Sequence, residues 1–276
     1  MKRVLVILVC IFNFVIAGDV EDIQEGIRAY EQKDYKAASD FFKKACDAQN
    51  MLSCNNVAVM YEKGIGVEKN TKEAINLYQK ACDGNVMNAC RRLGFLYSSG
   101  EERDNAKAFS MYQKSCDGGD MMGCNGLAYM YINGFGVNKD VNLALDLFQK
   151  ACDNGALVSC SNLGELYRFG EEVVSKNEKK AFNLHKKACE GEYIFSCNVL
   201  GIMYENGIGE ERSFRSARAF YEKACDKGLA DACYNLGAVY VRGNGAKIDK
   251  KLSKKYYNKA CDLGNKEACA KVGNTK

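Results

Sequence analysis

Apolar residues recur at helical spacing along almost the whole chain. The stretch "VNLALDLFQKACDNG" (141–155) alternates apolar and charged positions with the period of an α-helix, and "LVSCSNLGELYRFG" (157–170) does the same. Gly155 separates them, and a glycine there can take the left-handed conformation that closes a helix. The pattern predicts a helical hairpin. The apolar face of its first helix carries Ala144, Leu147, Phe148, Ala151 and Cys152, and that of its second carries Cys160, Leu163, Gly164 and Tyr167.

The hairpin pattern repeats together with a pair of cysteines eight positions apart. The first cysteines of successive pairs are separated by 36, 34, 36, 37, 36 and 36 residues. This period is typical of stacked helical repeats rather than of a globular domain. Seven pairs account for fourteen of the fifteen cysteines: Cys46 and Cys54, Cys82 and Cys90, Cys116 and Cys124, Cys152 and Cys160, Cys189 and Cys197, Cys225 and Cys233, and Cys261 and Cys269.

The first residues have the features of a secretory signal peptide. "MKRVLVILVCIFNFVIAGD" has a basic start, an apolar run from Val4 to Ile16 and a small Ala17-Gly18 junction. A membrane anchor is the alternative, but thirteen apolar residues are too few to span a bilayer. We therefore expect a signal peptide at 1–17 that contains the unpaired Cys10, and a repeat array at 18–276 in the periplasm or outside a bacterial cell.

In such an oxidising compartment, fourteen cysteines are expected to form disulfides. Residues eight apart in one continuous helix would be separated by about 12 Å, beyond the roughly 7 Å limit for a disulfide. Each bond therefore needs a bend, and the predicted hairpin supplies one. Structural zinc is the alternative, but the interval lacks the short Cys-x2-Cys spacing of zinc sites. We predict seven disulfides and no metal.

Charge and composition limit the partners and the fold. Without Lys2 and Arg3, 37 basic side chains stand against 35 acidic ones, and this balance favours neither nucleic acid nor an anionic membrane as a partner. The chain contains no proline, which suits an uninterrupted series of helices. We expect one all-α solenoid of disulfide-stapled hairpins with a C-terminal capping helix, monomeric and without a cofactor.

In the first six hairpins the second helix has a small residue four positions after its cysteine and a tyrosine seven positions after it, as Gly164 and Tyr167 show. We interpret both as packing positions. The loops that follow, such as Gly64-Ile65-Gly66, resemble phosphate-binding loops, but they end helices and no strand precedes them.

The motifs "KACDNG" and "NLGELY", together with the cysteine interval, resemble the Sel-one-like repeat, a relative of the tetratricopeptide repeat. The cysteine-stapled form is similar to the cysteine-rich Hcp proteins of the Helicobacter type. The resemblance covers the chain from about residue 20 to its last residue. It implies a right-handed superhelix of helix pairs, export, and penicillin binding with slow β-lactam hydrolysis.

The residues themselves give no independent support for such catalysis. The Ser-x-x-Lys, Ser-Asp-Asn and Lys-Thr-Gly elements of serine β-lactamases are missing from the sequence. A metallo-enzyme needs clustered histidines, whereas His185 is the one histidine in the chain. Because His185 lies between Leu184 and Lys186 on an amphipathic helix, we expect a partly solvated side chain rather than a catalytic one. The catalytic residues stay unknown.

A binding surface is the other functional candidate. Positions one, five and eight after the second cysteine of each pair fall on a separate side of the second helix. In related arrays that side lines a concave groove, and apolar residues there exceed what a solvated face needs. Simple solvated polar residues are the alternative. The predicted groove residues are Asn55, Arg91, Phe95, Asn125, Tyr129, Ser161, Glu165, Arg168, Asn198 and Tyr234, with Asn56, Asn162 and Asn235 beside them and Glu62 and Glu205 at the eighth position.

Two functions therefore remain open at this point. The groove could hold a protein segment or a cell-wall peptide, which makes the chain an interaction module. The family resemblance instead implies a slow hydrolase of β-lactams. A groove suited to D-alanyl peptides would also accept a penicillin, which mimics such a peptide.

Overall fold

The computed structural model describes residues 20–170 and 174–273, and all regular elements in these ranges are α-helices. The predicted signal peptide lies outside the described residues. None of the described helices combines the length and the apolar character needed to cross a membrane. The helices are α1 (20–31), α2 (Tyr35–Asp47), α3 (Met51–Lys63), α4 (Thr71–Asp83), α5 (Met87–Ser99), α6 (Asn105–Asp117), α7 (Met121–Asn133), α8 (Val141–Asp153), α9 (Leu157–Phe169), α10 (Glu178–Glu190), α11 (Ile194–Asn206), α12 (Phe214–Asp226), α13 (Ala230–Arg242), α14 (Lys250–Asp262) and α15 (Lys266–Gly273).

The predicted fold class, an all-α solenoid of disulfide-stapled hairpins, is confirmed. The chain divides into two compact units, the first ending at Lys139 and the second beginning at Asp140. Within each unit an odd-numbered helix packs most extensively against the even-numbered helix that follows it. Its contact with the preceding even-numbered helix, across the disulfide-bearing bend, is smaller. Two helices joined by a longer loop, such as α3 and α4, therefore share a more extensive contact than two helices joined by a disulfide-bearing bend.

A side-chain cap fixes the start of the even-numbered helices α2 to α14. Each cap lies twelve residues before the first cysteine of a pair, and its oxygen accepts a hydrogen bond from the backbone N–H three residues later. With the start and the cysteine fixed, all seven helices have thirteen residues. The caps are Asp34, Asn70, Asp104, Asp140, Asn177, Ser213 and Asp249.

Each of these helices ends in the same bend. The N–H of Val86 returns to the carbonyl of Ala81 at 3.0 Å, and equivalent bonds close the other six bends. The residue before this N–H has a positive φ. It is glycine in four bends, whereas Gln49, Asn85 and Glu192 take φ values of 72°, 65° and 70° in the other three.

Seven disulfides lock these bends, and their pairing is the predicted one. The two Cα atoms of each pair lie 4.4 to 4.8 Å apart, within the usual range for a disulfide. The cysteines of the first six pairs are almost completely buried, so the bond joins the last turn of an even-numbered helix to the first turn of the next helix inside the core. The bonds are Cys46 to Cys54, Cys82 to Cys90, Cys116 to Cys124, Cys152 to Cys160, Cys189 to Cys197, Cys225 to Cys233, and Cys261 to Cys269.

A lysine two positions before the first cysteine connects successive even-numbered helices. Lys80 Nζ donates to the carbonyl of Cys46 at 2.8 Å, and Lys187 Nζ lies 2.9 Å from Asp153 Oδ1. Both contacts place a positive charge at the C-terminal end of the preceding helix, where the helix dipole favours it. Lys114, Lys223 and Lys259 make the corresponding contacts in their own units.

The bend predicts a stabilising substitution. Gln49 is exposed and holds a left-handed conformation that costs a residue with a Cβ about 1 to 2 kcal/mol. We expect Gln49→Gly to raise the free energy of unfolding by about 0.5 kcal/mol, since glycine's larger unfolded-state entropy offsets part of the gain. Urea titration followed by circular dichroism measures the change.

The matched control is Gly155→Ala, which makes the reverse change at an equivalent position. Gly155 has φ 90° and open space around the position of a Cβ, so only backbone strain is added. We expect this variant to lose about 1 kcal/mol. Equal stability of both variants and the wild type would show that the left-handed bend carries no strain.

Removal of one disulfide should cost more. The chain-entropy model assigns about 2.5 kcal/mol to a loop of about nine residues, so Cys152→Ala with Cys160→Ala should lower the free energy of unfolding by about that amount. Urea titration of oxidised protein measures it, and reduced wild type is the comparison. An unchanged unfolding midpoint, or free thiols in the oxidised wild type, would contradict the stapled bend.

Candidate functional site

A side-chain ring lies four positions before the first cysteine of each pair. In α6 it is Tyr112, which faces Gly94, and in α14 it is Tyr257, which faces Gly237. A Cβ on either glycine would lie 2.8 Å from the ring, so the small residues of the odd-numbered helices are packing residues, as predicted. The series is Phe42, Tyr78, Tyr112, Phe148, His185, Tyr221 and Tyr257.

Two of these rings bind a carboxylate of the preceding helix. The Tyr78 hydroxyl donates to Glu62 Oε2 at 2.5 Å, and Glu62 also lies 3.6 Å from Arg92 Nη1. Burial, reinforced by this hydrogen bond, raises the pKa of Tyr78. Tyr221 donates to Glu205 at 2.7 Å in the same way. Glu62 and Glu205, at predicted groove positions, thus serve the contact between helices.

His185 is fully buried, which corrects the expectation of a partly solvated side chain. It replaces the aromatic ring of the other repeats and packs against Gly164, so it points into the hairpin rather than towards solvent beside Lys186. Nδ1 lies 3.2 Å from Ser196 Oγ, and Nε2 lies 3.1 Å from Glu165 Oε1. The second contact is close, but it is not a well-aligned hydrogen bond.

Arg168 and His185 lie beside the two carboxylate oxygens of Glu165. Arg168 Nη2 lies 2.6 Å from its Oε2, and His185 approaches its other oxygen. Burial raises the pKa of the Glu165 carboxyl, but the contacts with His185 and Arg168 outweigh burial and hold it below its ordinary value. Glu165 and Arg168, both predicted groove residues, are therefore partners of each other and of the buried histidine.

Ser196, His185 and Glu165 contain the residue types of a hydrolase triad, but their setting is different. Ser196 and His185 have no exposed surface, so a substrate carbonyl cannot reach the serine hydroxyl. The cluster lies between α9, α10 and α11, where Ser196 is the hydrogen-bond partner of His185 Nδ1 and Glu165 Oε1 is a close neighbour of Nε2. In the ranges 20–170 and 174–273, no three histidine, cysteine or acidic side chains are placed to hold a metal ion.

The remaining predicted groove residues of the second unit are also buried, half-buried or in contact with other side chains of the unit. Ser161 and Asn198 are buried, and Asn198 Oδ1 accepts a hydrogen bond from Asn235 Nδ2 at 3.0 Å. The Tyr234 ring lies 5.4 Å from that of Tyr257. Asn162 is half-buried.

In the first unit, Arg91 is held in place rather than free. Its Nε lies 2.9 Å from Asp120 Oδ2, and its Nη2 donates to Asn88 Oδ1 at 3.2 Å. Asp120 also caps α7 through the N–H groups of Met122 and Gly123. Arg91 thus joins α5 to the start of α7, and its replacement would cost stability as well as any binding. Asn125 on α7 is half-buried.

Three aromatic side chains of the first unit are exposed, Tyr30 on α1 and two on odd-numbered helices further along the chain. Phe95 on α5 is 52% exposed and Tyr129 on α7 is 53% exposed. They occupy equivalent positions on two helices in contact with each other. Gly94 faces Tyr112 of α6, so the next residue, Phe95, points away from that helix. The Tyr129 ring has Phe135 as a neighbour at 6.0 Å.

An apolar pocket of about 320 Å³ opens between α1, α2 and α3 of the same unit. Asn56 is among the residues predicted beside the groove, whereas the α1 residues were not predicted, because α1 carries no cysteine to set its register. Next to Asn56, Asn55 has a buried Oδ1 that accepts no hydrogen bond from the residues described. The pocket is lined by Ile27, Tyr30, Glu31, Phe42, Asn56, Val59 and Met60.

Comparison with curated proteins gives short matches. "Putative beta-lactamase HcpC" of Helicobacter pylori is 42% identical over 45 residues, which are 16% of this chain and 16% of that protein. "Cytochrome c oxidase assembly factor 7 homolog" of Drosophila melanogaster is 50% identical over 38 residues, 14% of each chain. The chain thus spans only a small part of the curated relatives it matches.

The match to a solved structure is longer. The Sel1 repeat protein from Oxalobacter formigenes superimposes with a TM-score of 0.79 and 27% identity, over 87% of this chain and 99% of that one. A protective antigen of uropathogenic Escherichia coli with an SLR fold gives a TM-score of 0.75 at 22% identity, over 93% of this chain and 56% of that one. The second likeness concerns the fold alone.

A family model described as Sel1 repeat matches seven consecutive segments, 23–50, 52–86, 88–120, 122–155, 157–193, 194–229 and 230–265. Their boundaries fall between the two cysteines of a pair, so the first six disulfides each link one repeat to the next. With matches over most of its length and this helical architecture, the chain belongs to the Sel1 repeat family.

Proposed function

We propose that this protein is an exported interaction scaffold that holds an extended segment of a partner protein on the odd-numbered helices of its first unit. The observation that carries the proposal is the pair of exposed rings, Phe95 and Tyr129, on a unit that also contains an apolar pocket. Aromatic side chains supply most of the binding energy in many protein interfaces. Exposed apolar surface of this kind is a common feature of protein interaction sites.

The two units differ at this position. Five residues after the second cysteine, the second unit carries Glu165, Ile202 and Ala238, which are half-buried and partly engaged in internal contacts. The first unit carries Phe95 and Tyr129 in the open. The first unit is therefore the better candidate for a binding surface, and the proposal is limited to it.

The pocket between α1, α2 and α3 suits one apolar side chain of the partner. Its walls are formed by Ile27, Phe42 and Val59 among others, and its volume of about 320 Å³ lies at the low end for ligand pockets. The partner segment would thus carry an apolar anchor side chain.

Export is supported by the cysteines. Seven disulfides persist only where glutathione and thioredoxin do not reduce them, so we place the protein in the periplasm or outside the cell. Stapled bends also keep the helices in one arrangement before the partner arrives. A pre-organised surface loses less conformational entropy on binding.

The name of the Helicobacter relative raises β-lactam hydrolysis as the other function. That match covers 45 residues, and the one histidine of this chain is sealed in the core together with Ser196. Binding of a cell-wall peptide, or of a penicillin that mimics it, to the face of the first unit can be tested separately from hydrolysis. The Ser196–His185 pair is buried and therefore gives hydrolysis no support.

Removal of the Phe95 and Tyr129 rings should strongly weaken the binding of peptides to this surface. Peptides are selected from a displayed library on the oxidised wild type, and their affinities are then measured by fluorescence polarisation. We expect Phe95→Ser with Tyr129→Ser to weaken binding at least about 100-fold, since central aromatic residues each contribute about 2 kcal/mol or more. The stability of this variant should stay within about 0.5 kcal/mol of wild type, as for other surface changes.

The matched control is Phe169→Ser with Phe195→Ser, which removes two exposed rings from the second unit. This variant should bind the selected peptides as the wild type does. An equal loss of affinity in both variants would indicate nonspecific binding of the peptides to exposed aromatic side chains. Undiminished binding by the Phe95 and Tyr129 variant would refute the assigned face.

Nitrocefin turnover tests the alternative function. Because Ser196 and His185 are buried, we expect purified oxidised protein to hydrolyse nitrocefin no faster than a reduced and unfolded control of the same preparation. Turnover that requires the folded protein and disappears in His185→Phe, the residue found at this position in α2 and α8, would restore the hydrolase interpretation.

A further inference from the structure

Positive charge is concentrated on one helix of the second unit. Helix α14, "KKLSKKYYNKACD", contains five lysines and one aspartate. Helix α10 has four lysines, but two glutamates accompany them. The net charge of the whole chain is close to neutral and argued against an anionic partner. It is therefore an average over segments of different charge.

The lysines of α14 are exposed and largely uncompensated. Lys250, Lys251 and Lys254 are exposed, and none of them forms an ion pair with any residue in the described ranges. Lys259 differs, because its Nζ lies 3.4 Å from Asp226 of α12. One shallow depression on this face is lined by Lys251, Lys254, Lys255, Asn258, Lys259 and Asp262.

One of these lysines, Lys254, occupies a position that holds a packed aromatic ring in two other even-numbered helices. Seven positions before the first cysteine, α6 and α10 carry Phe109 and Phe182, whose rings lie 5.4 and 5.1 Å from tyrosines of the following helix. At the equivalent position α14 carries Lys254. Lys254 thus exposes a charge at the position where α6 and α10 have a packing ring.

Apolar side chains flank the basic face. Ile248, just before the α14 cap, is 65% exposed, and Leu263, just after the last residue of α14, is 44% exposed. All eight basic residues between 247 and 271 are lysines. Arginine is preferred for bidentate recognition of single carboxylates or phosphates, whereas lysine acts as a point charge on a flexible stem.

We propose that the α14 face is a peripheral docking surface for a membrane rich in anionic lipid. The lysines would lie at the headgroups, and Ile248 and Leu263 would insert into the interface beside them. A lipid surface is favoured over an acidic protein or a nucleic acid because it can use both the unpaired charges and the exposed apolar side chains.

Vesicle sedimentation with full-length oxidised protein tests this surface. The wild type should sediment with vesicles of equal parts phosphatidylglycerol and phosphatidylcholine, but not with pure phosphatidylcholine, and rising salt should weaken binding. Replacement of Lys250, Lys251, Lys254 and Lys255 by Gln should lower the partition constant about 600-fold, since each lysine near an anionic surface contributes roughly a factor of five. Glutamine keeps the helix propensity of lysine.

The matched control replaces Lys33, Lys43, Lys63 and Lys69 by Gln, which removes the same charge from exposed sites in the first unit. It should lose only a small part of the binding. Ile248→Ser with Leu263→Ser should weaken the salt-resistant part of the binding while circular dichroism stays unchanged.

Three results would overturn the proposal. The first is failure of the wild type to bind the anionic vesicles. The second is an equal loss in the control and in the α14 variant. The third is tighter binding to a short DNA duplex than to the vesicles, which would make the face a general site for anionic polymers.

Discussion

The architecture depends on one closed bend that recurs every 34 to 37 residues. A disulfide holds two helix ends with their Cα atoms 4.4 to 4.8 Å apart, and a left-handed residue turns the chain between them. The cap twelve residues earlier fixes the length of the helix that enters the bend. A lysine then ties that helix to the end of the preceding one. Differences between repeats are therefore confined to side chains and to the longer loops.

This constant frame displays unlike surfaces. The face of the first unit keeps Phe95 and Tyr129 in water, whereas the corresponding face of the second unit uses Glu165 and Arg168 around a buried histidine. The second unit instead exposes a row of lysines on α14. The fold thus explains how surfaces of different chemistry arise on repeats with nearly the same backbone.

The sequence predicted the features that depend on local spacing. The cysteine interval gave the disulfide pairing, and helical periodicity gave the hairpins and the glycines that face rings such as Tyr112. Burial of His185 and the ion pair of Arg91 with Asp120 were missed, because periodicity identifies a face of a helix but not the neighbour that covers it. A signal was available for His185, since every other repeat has an aromatic ring at its position.

The eight-residue spacing also has a consequence for how the chain acquires its bonds. Fourteen thiols permit a very large number of pairings, but the partner of each cysteine is always its nearest neighbour in sequence, across a loop with a small closure entropy. Other thiols of the repeats are at least 26 positions away. Oxidation can therefore proceed from the first repeat to the last as the chain emerges, without isomerisation of bonds between distant segments.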